Sequence, residues 1–427
     1  MRICAGIAVA MGLALATAGS SFAVPDDLDP TFSGDGKVLV NFGHDPRAEI
    51  AYDALVTGSD KVVLAGSIGG PNSSSWALVR LRPNGTLDEE FSGNGKVTKK
   101  VGEVGEARVI KGLGLGRVLV GGSSDGAFAL LAFAKDGGLN PAWGGDGIVT
   151  YDVMPGPERV LDIRRDGEGW LVAGLAGAAP ATPVITRFAE DGAPDAAFGV
   201  RTADGFEGTP TAVKLTGDGG LIVAGRAPDD GNFDHGYAVA RYTDEAAPDG
   251  TFAGGATVVT HFPNDEFPYG DEFAIPRAIV LQPDGRILVG GETFGEGDYS
   301  RPTMARYLAN GNLDATLDGD GRVIGRKTGY YGGFHDLALQ PNGKIVAGGW
   351  DSGTGCCNGL AAYRYLANGE PDDAFGNNGM RVVRFPDGRS GKGYAVAVSD
   401  TRIVVAGESW STRKRGLAAM PAIALRR

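Results

Sequence analysis

An eleven-residue segment occurs twice near the start of the chain, and its first five letters recur further along. Residues 28–38 read LDPTFSGDGKV, and residues 87–97 read LDEEFSGNGKV. Seven copies of one segment indicate a repeat architecture, in which every unit is the same small group of strands or helices. The five later copies, with substitutions, lie at 139–143, 194–198, 248–252, 313–317 and 371–375.

A second motif alternates with the first and ends in glycine. It is a β-branched run such as RILVGG, and a strand-like run and a tight turn such as QPDG (282–285) precede it. In such a turn Pro presets the first position, Asp caps the turn and Gly accepts the positive φ. The motif therefore predicts two strands joined by a hairpin. Its seven copies end at Gly66, Gly122, Gly174, Gly225, Gly291, Gly349 and Gly407.

A third run alternates apolar residues with an Arg before most copies of the first motif, as in ALVRL (77–81). One unit is thus four short strands joined by hairpins. Its length of about 60 residues suits the blade of a propeller better than the coil of a solenoid. The predicted fold is all-β, a seven-bladed β-propeller of four-stranded antiparallel blades. An open β-solenoid is the alternative.

The two ends of the chain favour ring closure. The chain begins with the last strand of a unit, residues 36–42, and ends with the first three strands of a unit, near 394–400, 402–407 and 419–426. The N-terminal strand is therefore expected to complete and close the last blade. A closed ring leaves no unpaired strand edge, which an open stack would expose to aggregation.

These motifs resemble the delta-60 repeat family of bacterial β-propellers. The segments AIVLQPDGRILVGG (278–291) and MARYLANGNLDATLDGDGRV (304–323) carry the resemblance, which extends over nearly all of the chain after its first 23 residues. It implies the propeller fold, but it implies no reaction and no catalytic residues. The third copy of the first motif departs from the pattern at Ala132, Asn140 and Trp143, and the fourth lacks the GDG segment after Phe198, so we expect irregular blades there.

Residues 1–23 are predicted to be a secretory signal peptide. Arg2 gives a positive start, residues 3–19 are apolar and uncharged, and Ser21-Phe22-Ala23 offers small residues where a signal peptidase reads them. An uncleaved membrane anchor is the alternative, although the apolar run is shorter than the roughly 20 residues that span a bilayer. We expect an exported protein, in the bacterial periplasm or outside the cell. Residues 24–427 are expected to form a single domain, with no membrane span after signal cleavage.

Composition narrows the choice of partners. Acidic residues exceed basic residues by 12. This excess disfavours nucleic acid as a partner, because phosphate binding needs a basic face. Glycine is very frequent, at 71 of 427 residues, as many tight turns between short strands require.

The repeated polar and aromatic residues are predicted to be structural. The Asp of the first motif can cap a turn, and the recurring Arg on the preceding strand can form an ion pair with it. The aromatic residue three positions after the Asp is expected to pack between blades. DGDG (318–321) and GGDG (144–147) are interpreted as turns before strands, because a calcium loop needs further oxygen ligands and a closing carboxylate. The recurring arginines are Arg80, Arg187, Arg241, Arg306 and Arg364.

The long, irregular segments all fall on one face of the predicted propeller. With strands a to d counted outwards from the axis, the b–c loops and the d–a links share this face, opposite the short turns. Function is usually carried by loops on a rigid scaffold, so this face is the candidate ligand-binding site. Its aromatic and acidic side chains suit sugar hydroxyls, cations or basic patches, and solvated loops without a ligand are the alternative. The candidates are Asp229, Asp230, Asp234, His235, Asp265, Glu266, Phe267, Tyr269, Asp271, Glu272, Tyr299, Tyr330, Tyr331 and Trp350.

Cys356 and Cys357 are adjacent in one of these loops, and they are the only cysteines left once Cys4 leaves with the signal peptide. In an oxidising compartment they can form a vicinal disulfide. Such a bond would be strained, because adjacent Cα atoms lie closer together than in ordinary disulfides. It would stiffen the loop beside a ligand. Two free thiols, or a bond to another molecule, are the alternatives.

The sequence predicts an exported, non-enzymatic β-propeller scaffold that binds a protein or a glycan through the loop face. No familiar catalytic motif is present, the four histidines show no metal-binding spacing, and neither a cofactor nor a metal is expected. The alternative is a hydrolase or lyase, with or without a metal ion, whose carboxylates lie at the mouth of the central channel. A structural surface protein without a small ligand is a third hypothesis.

Overall fold

Short antiparallel strands joined by tight turns account for nearly all of the regular structure. No helix in the described part of the chain is long and apolar enough to cross a membrane. The signal peptide predicted for residues 1–23 lies outside the described residues. The computed structural model describes residues 28–43, 48–167, 169–228, 236–262, 273–295, 300–353, 358–411 and 418–427.

The strands are numbered in chain order, and two 3-10 turns, Ala253–Gly255 and Pro386–Gly388, lie between them. The first half of the chain contains β1 (Lys37–Val40), β2 (Ala48–Val56), β3 (Val62–Gly70), β4 (Ser73–Leu81), β5 (Lys96–Lys99), β6 (Gly105–Gly112), β7 (Val118–Ser124), β8 (Ala127–Phe133), β9 (Ile148–Tyr151), β10 (Arg159–Asp166), β11 (Gly169–Ala176), β12 (Thr182–Phe188), β13 (Val200–Thr202) and β14 (Thr209–Leu215). The second half contains β15 (Leu221–Arg226), β16 (Tyr237–Tyr242), β17 (Val258–Thr260), β18 (Phe273–Leu281), β19 (Ile287–Phe294), β20 (Ser300–Tyr307), β21 (Arg322–Ile324), β22 (Gly332–Leu339), β23 (Ile345–Asp351), β24 (Gly359–Tyr365), β25 (Met380–Val383), β26 (Arg389–Val398), β27 (Arg402–Ser411) and β28 (Ala418–Arg426).

Five of the sheets contain four antiparallel strands each, in chain order. Each begins with a long inner strand and ends with a short outer strand of three or four residues, as β18 and β21 show. The all-β propeller fold predicted from the repeats is confirmed, and these five sheets are its four-stranded blades. They consist of β6–β9, β10–β13, β14–β17, β18–β21 and β22–β25.

The prediction of seven four-stranded blades is wrong. The remaining eight strands form one sheet, in the order β1-β28-β27-β2-β3-β4-β5, with β26 also paired to β27. The ladder between β27 and β28 is interrupted after Ala406, and in this interval Glu408 bridges Ile50 of β2. This bridge joins strands from the two ends of the chain into a single sheet. Within it, β1 pairs with β28 from Lys37 opposite Ile423 to Val40 opposite Met420.

The apolar core lies between neighbouring sheets. Val63 and Ala65 of β3 pack with Val118 and Val120 of β7 in one cluster, and similar clusters fill the spaces between the other sheets. Alternate residues of each strand face opposite sides, so a middle strand contributes to two clusters through an apolar run such as Val118–Val120 of β7. The blades are therefore held together by the side chains that the β-branched runs of the repeat supply.

The ion pairs predicted from the repeats are present. Arg306 Nε lies 2.7 Å from Asp314 Oδ2, and both side chains are buried. The same guanidinium donates a 2.6 Å hydrogen bond to the carbonyl oxygen of Ala367 in the next blade. The pair therefore connects two blades as well as two segments of one blade. The other pairs are Arg80–Asp88 at 2.6 Å, Arg364–Asp372 at 2.5 Å, Arg241–Asp249 at 2.9 Å and Arg187–Asp195 at 3.9 Å.

The aromatic residue of the motif packs between blades, as predicted. Phe91 is 1 % exposed, and a Cβ at Gly137, in the turn between β8 and β9, would lie 3.0 Å from its ring. A Cβ at Gly192 in the following blade would likewise lie 2.8 Å from the Trp143 ring. The irregular blades expected at the third and fourth motif copies are not found, because β6–β9 and β10–β13 are both ordinary four-stranded sheets. In the first of them the larger Trp143 occupies the aromatic position.

The GDG segments are turns before strands, as interpreted from the sequence. Asp320 Oδ1 accepts a 2.8 Å hydrogen bond from the backbone N–H of Arg322, and Asp146 Oδ1 accepts one of 2.9 Å from Ile148. Each carboxylate thus caps the start of an outer strand.

Candidate functional site

Seven strands surround a central channel with a volume of about 590 Å3. This volume lies within the range of about 300–1,000 Å3 that is typical of small-molecule sites. Each of these strands begins at the face that carries the b–c loops and the d–a links, and runs towards the short turns at the opposite face. The first face is called the loop face below. The lining strands are β2, β6, β10, β14, β18, β22 and β26.

Every lining strand contains a β-bulge, and the bulged residue contributes to the channel wall. A bulge places one extra residue opposite the partner strand and turns its side chain in a new direction. The same device thus puts one side chain of each strand into the channel, whatever the type of residue. The bulged residues are Tyr52, Arg108, Leu161, Thr211, Arg277, His335 and Tyr394.

The repeated glycine of the second motif makes the bulge possible. A Cβ on Gly66 would lie 1.8 Å from the carbonyl oxygen of Ile50, two residues before the bulge at Tyr52. Only glycine permits this approach of the two backbones. The other six copies have the corresponding carbonyl oxygen between 1.8 and 2.3 Å from the same position, at Gly122, Gly174, Gly225, Gly291, Gly349 and Gly407.

Polar side chains line the channel at two levels. The level nearer the loop face, called the upper ring, contains the polar side chains at or just before the bulges, apart from that of Thr211. The lower ring contains the charged side chains that follow the bulges on the same strands. The upper ring is Tyr52, Arg108, Arg159, Arg277, His335 and Tyr394, and the lower ring is Asp53, Lys111, Asp162, Lys214 and Asp336.

Two arginines of the upper ring have acidic partners. Arg108 lies 2.5 Å from Glu106, and its guanidinium is stacked 3.8 Å from the centre of the Tyr52 ring. Arg277 lies 2.8 Å from Glu292. These contacts fix the direction of both guanidinium groups and leave part of each in contact with the channel.

The third arginine, Arg159, has no acidic partner. Its side chain is exposed to the channel, and it has no hydrogen bond or ion pair with any residue that the structure describes. Burial lowers the pKa of its guanidinium, and the positive charge of Arg108 adds to this effect, whereas the negative charge of Glu106 opposes it. Because two neighbouring cations repel each other, an anion between them would be strongly stabilised.

An aromatic arc completes the upper ring. The His335 and Tyr394 rings are 4.8 Å apart, and the Tyr394 and Tyr52 rings are 6.0 Å apart. Tyr394 donates a 2.6 Å hydrogen bond to Glu408. Burial lowers the pKa of His335 well below its usual value, and the charges of Arg277 and Lys392 lower it further. The imidazole is therefore neutral at neutral pH.

The lower ring ties the lining strands together. Asp162 accepts hydrogen bonds from Lys111 at 3.1 Å and Lys214 at 3.2 Å, so three adjacent strands are connected across the channel wall. Asp53 accepts a hydrogen bond from the backbone N–H of Ile110 in the neighbouring strand β6, and Asp336 accepts one from the backbone N–H of Val396 in β26. The carboxylates of this ring therefore hold neighbouring lining strands together.

The acids of the lower ring differ in pKa. Burial raises the pKa of Asp336 to about 7, and the charge of Asp53 adds to the rise. Burial also raises the pKa of Asp53, although Lys111 opposes the shift. For Asp162 burial acts in the same direction, but Lys214 and Lys111 outweigh it and lower the pKa. Among the described residues, no group of three or more His, Cys, Asp or Glu side chains is arranged to hold a metal ion.

Three of the loop residues predicted as ligand-binding candidates are described. Tyr331 and Trp350 stack with their ring centres 6.4 Å apart, and Lys392 lies 4.2 Å above the Trp350 ring. Trp350 is buried, whereas Tyr330 is 63 % exposed. The other candidates lie outside the described residues: Asp229, Asp230, Asp234, His235, Asp265, Glu266, Phe267, Tyr269, Asp271, Glu272 and Tyr299, together with Cys356 and Cys357.

Sequence reasoning missed the upper and lower rings. Their residues lie in regular strands, and the search for function was directed at irregular loops. A signal was present, because each bulged residue stands at a nearly constant distance before the repeated glycine. Comparing the copies at this one position would have shown a variable, polar and aromatic set inside an otherwise uniform repeat.

The comparisons with known proteins support the fold. Residues 58–91, 282–317 and 340–375 match the family described as "Domain of unknown function (DUF5122) beta-propeller". The match covers about a quarter of the chain and fits a bacterial propeller family. The more specific assignment to the delta-60 repeat family stays a prediction. None of the curated proteins compared with the chain matches it.

Several solved structures are similar to this chain over most of its length, at low identity and with TM-scores below 0.5. A polysaccharide lyase of family PL25, an ulvan lyase, has 11 % identity and a TM-score of 0.49, with 90 % of this chain and 95 % of that chain covered. Sqt1 of Chaetomium thermophilum has 13 % identity and a TM-score of 0.48, with 92 % and 98 % covered. A protein from Lactobacillus plantarum has 14 % identity and a TM-score of 0.44, with 81 % and 92 % covered. Likeness at this level carries no argument about function.

Proposed function

We propose that the protein is an exported binding protein that holds an acidic glycan in the loop-face half of its central channel. The carboxylate or sulfate of the glycan pairs with Arg159 and Arg108, and a sugar ring packs against the aromatic arc of His335, Tyr394 and Tyr52. Of the ligands predicted from the sequence, a protein or a glycan, the proposal retains the glycan. It moves the site from the outer loops to the channel.

The state of Arg159 is the observation that carries the proposal. A guanidinium beside a second guanidinium, in a partly desolvated channel, is unfavourable when no acid is paired with it and only the charge of Glu106, itself bound to Arg108, opposes the repulsion. The neighbouring acids Glu106 and Glu292 are held by Arg108 and Arg277. An external anion with two oxygens supplies the bidentate partner that Arg159 lacks.

The rest of the channel favours a sugar over a simple ion. The aromatic arc offers flat apolar surface with polar edges, which suits the apolar face and the hydroxyls of a sugar ring. Thr211 and Leu161 complete the wall at the same level and carry no charge. A channel with cations on one side and aromatic rings on the other therefore matches a sugar that bears an acidic group.

Binding to uronates and sulfated sugars tests the proposal. We expect calorimetry to detect binding of oligogalacturonates or of a sulfated oligosaccharide, and Arg159→Ala to weaken it at least about 10-fold, the loss of one charge-assisted pair. Arg165→Ala is the matched control, because Arg165 is on the same strand but pairs with Glu190 outside the channel. Failure of every anionic sugar to bind, or equal affinity of the wild type and Arg159→Ala, would contradict the proposal.

A lyase is the second candidate, and the neutral His335 beside Tyr394 is the observation that favours it. A neutral imidazole can accept the proton from the carbon that bears a uronate carboxylate while arginines neutralise that carboxylate. The electron pair then forms a double bond to the adjacent carbon, the glycosidic oxygen leaves that carbon, and the Tyr394 hydroxyl or the protonated imidazole gives this oxygen a proton. A hydrolase with two free carboxylates is less well supported, because Glu106 and Glu292 beside the upper ring and the described acids of the lower ring already have partners. Appearance of unsaturated, ultraviolet-absorbing products from acidic polysaccharides, and its loss in His335→Gln, would establish the lyase.

A further inference from the structure

We infer that the channel takes the end of an acidic glycan chain and does not recognise units in its interior. This inference rests on the proposed function, because it concerns the same site. It follows from the depth of the upper ring, from the lower ring beneath it, and from the direction in which the lining strands run.

The aromatic arc of the upper ring is recessed from the loop face. Tyr52 is the fifth residue of β2, His335 the fourth of β22 and Tyr394 the sixth of β26. With a rise of about 3.3 Å per residue, these bulges lie roughly 10–16 Å from the start of their strands. A polymer lying across the loop face would keep its interior sugars above this level.

Arg159 lies between the opening and the aromatic arc. It is two residues before the bulge at Leu161, and so nearer to the loop face than Tyr52 or His335 is. A chain that enters by its end passes Arg159 and brings its last sugar ring to the arc. The acidic group and the ring of one terminal sugar, or of two neighbouring sugars, can then be bound together.

The lower ring disfavours passage of the chain through the channel. Lys111 and Lys214 both reach Asp162, and Asp53 and Asp336 accept hydrogen bonds from the backbones of the neighbouring strands. These side chains are held against the channel wall, and a sugar chain would have to shed water to pass their charges. Among the described residues, the lower ring therefore favours a ligand that stops at the upper ring.

Chain length separates end recognition from interior recognition. Oligogalacturonates of one to six units and polygalacturonate are titrated into the wild-type protein by calorimetry. End recognition predicts one protein for each recognised chain end at every length, and an affinity per chain that stops changing after about three units. Many protein molecules on each polygalacturonate chain would overturn the inference and leave the proposed function intact. No binding of these chains at any length, and none of a sulfated oligosaccharide series titrated in the same way, would overturn both.

A blocked channel provides a second, independent readout. Leu161 is a partly buried, uncharged bulge residue of the channel wall, so Leu161→Trp fills the channel without removing a polar contact. We expect at least a 10-fold loss of oligogalacturonate affinity. Leu115→Trp is the control, because Leu115 is 87 % exposed on the turn between β6 and β7, at the opposite face. Unchanged affinity in a folded Leu161→Trp would show that the ligand binds outside the channel.

Discussion

The outer turns and the central channel are built from the same repeat but use it in opposite ways. At the outer turns the pairs Arg80–Asp88 and Arg306–Asp314 have nearly the same distance and the same interblade position. In the channel, the equivalent bulge position holds a tyrosine, an arginine, a leucine, a threonine or a histidine. The Arg–Asp pairs are the same from blade to blade because they hold the blades together. The bulge positions keep the same backbone but vary in side chain, so they can carry the groups that bind a ligand.

The glycine beneath a bulge is expected to be the most sensitive position of either region. In Gly349→Val the new Cβ would meet the carbonyl oxygen of Gly333 at 1.9 Å, so β22 and β23 cannot keep their pairing. We expect a loss of at least about 3 kcal/mol in the free energy of unfolding, or failure to fold. Urea unfolding measures this effect. Gly58→Ala is the control, since nothing lies within 4 Å of its Cβ position, and wild-type stability in Gly349→Val would show that the bulge tolerates a side chain.

The Arg–Asp pairs are expected to differ in strength with burial. Arg80→Met leaves the buried Asp88 with Lys61 as its only remaining close cation, apart from a longer contact to Arg82, and should cost about 2–3 kcal/mol. Arg187→Met loses a 2.6 Å pair with Asp166 and a 3.9 Å contact with Asp195. Because all three side chains are about a third exposed, the cost should stay below about 1 kcal/mol. Thermal unfolding of both variants tests this order. Equal losses of stability in the two variants would mean that burial does not determine the strength of the Arg–Asp pair.

The lower ring gives the protein a predicted pH dependence. The pKa of Asp336 is raised to about 7 by burial, above its ordinary value of 3.8, so the folded protein holds this proton more tightly than the unfolded chain does. This contribution to stability is complete below about pH 4 and is lost as the pH rises through 7. Asp336→Asn removes it. We therefore expect the melting temperature of the wild type to fall, relative to that of Asp336→Asn, between pH 5 and pH 8. If the melting temperatures of the two proteins change in parallel with pH, Asp336 is not the group that titrates in this range.

Much of the fold could be predicted because each blade repeats its own signals. The turn residues, the β-branched runs and the Arg–Asp pairs each occur many times, so a single ambiguous copy such as that at Trp143 does little harm. The separation of the sheets could not be predicted. Whether Glu408 bridges Ile50 depends on how closely two sheets approach, and no local pattern encodes this distance.

The site was harder to predict for a physical reason. A side chain in a strand normally alternates between two buried faces, and a bulge breaks this alternation at one residue. Arg159 and His335 therefore look like ordinary strand residues until the bulges are located. The loop residues Tyr331 and Trp350 drew attention because they are aromatic and irregularly placed, and the structure brings these two together near Lys392.

A crystal structure with a bound oligogalacturonate tests the central claim most directly. We expect density for a terminal sugar inside the channel, with its carboxylate against Arg159 and Arg108 and its ring against Tyr394. Density on the outer loops with an empty channel would contradict the account, because the variable bulge positions would then have no part in binding.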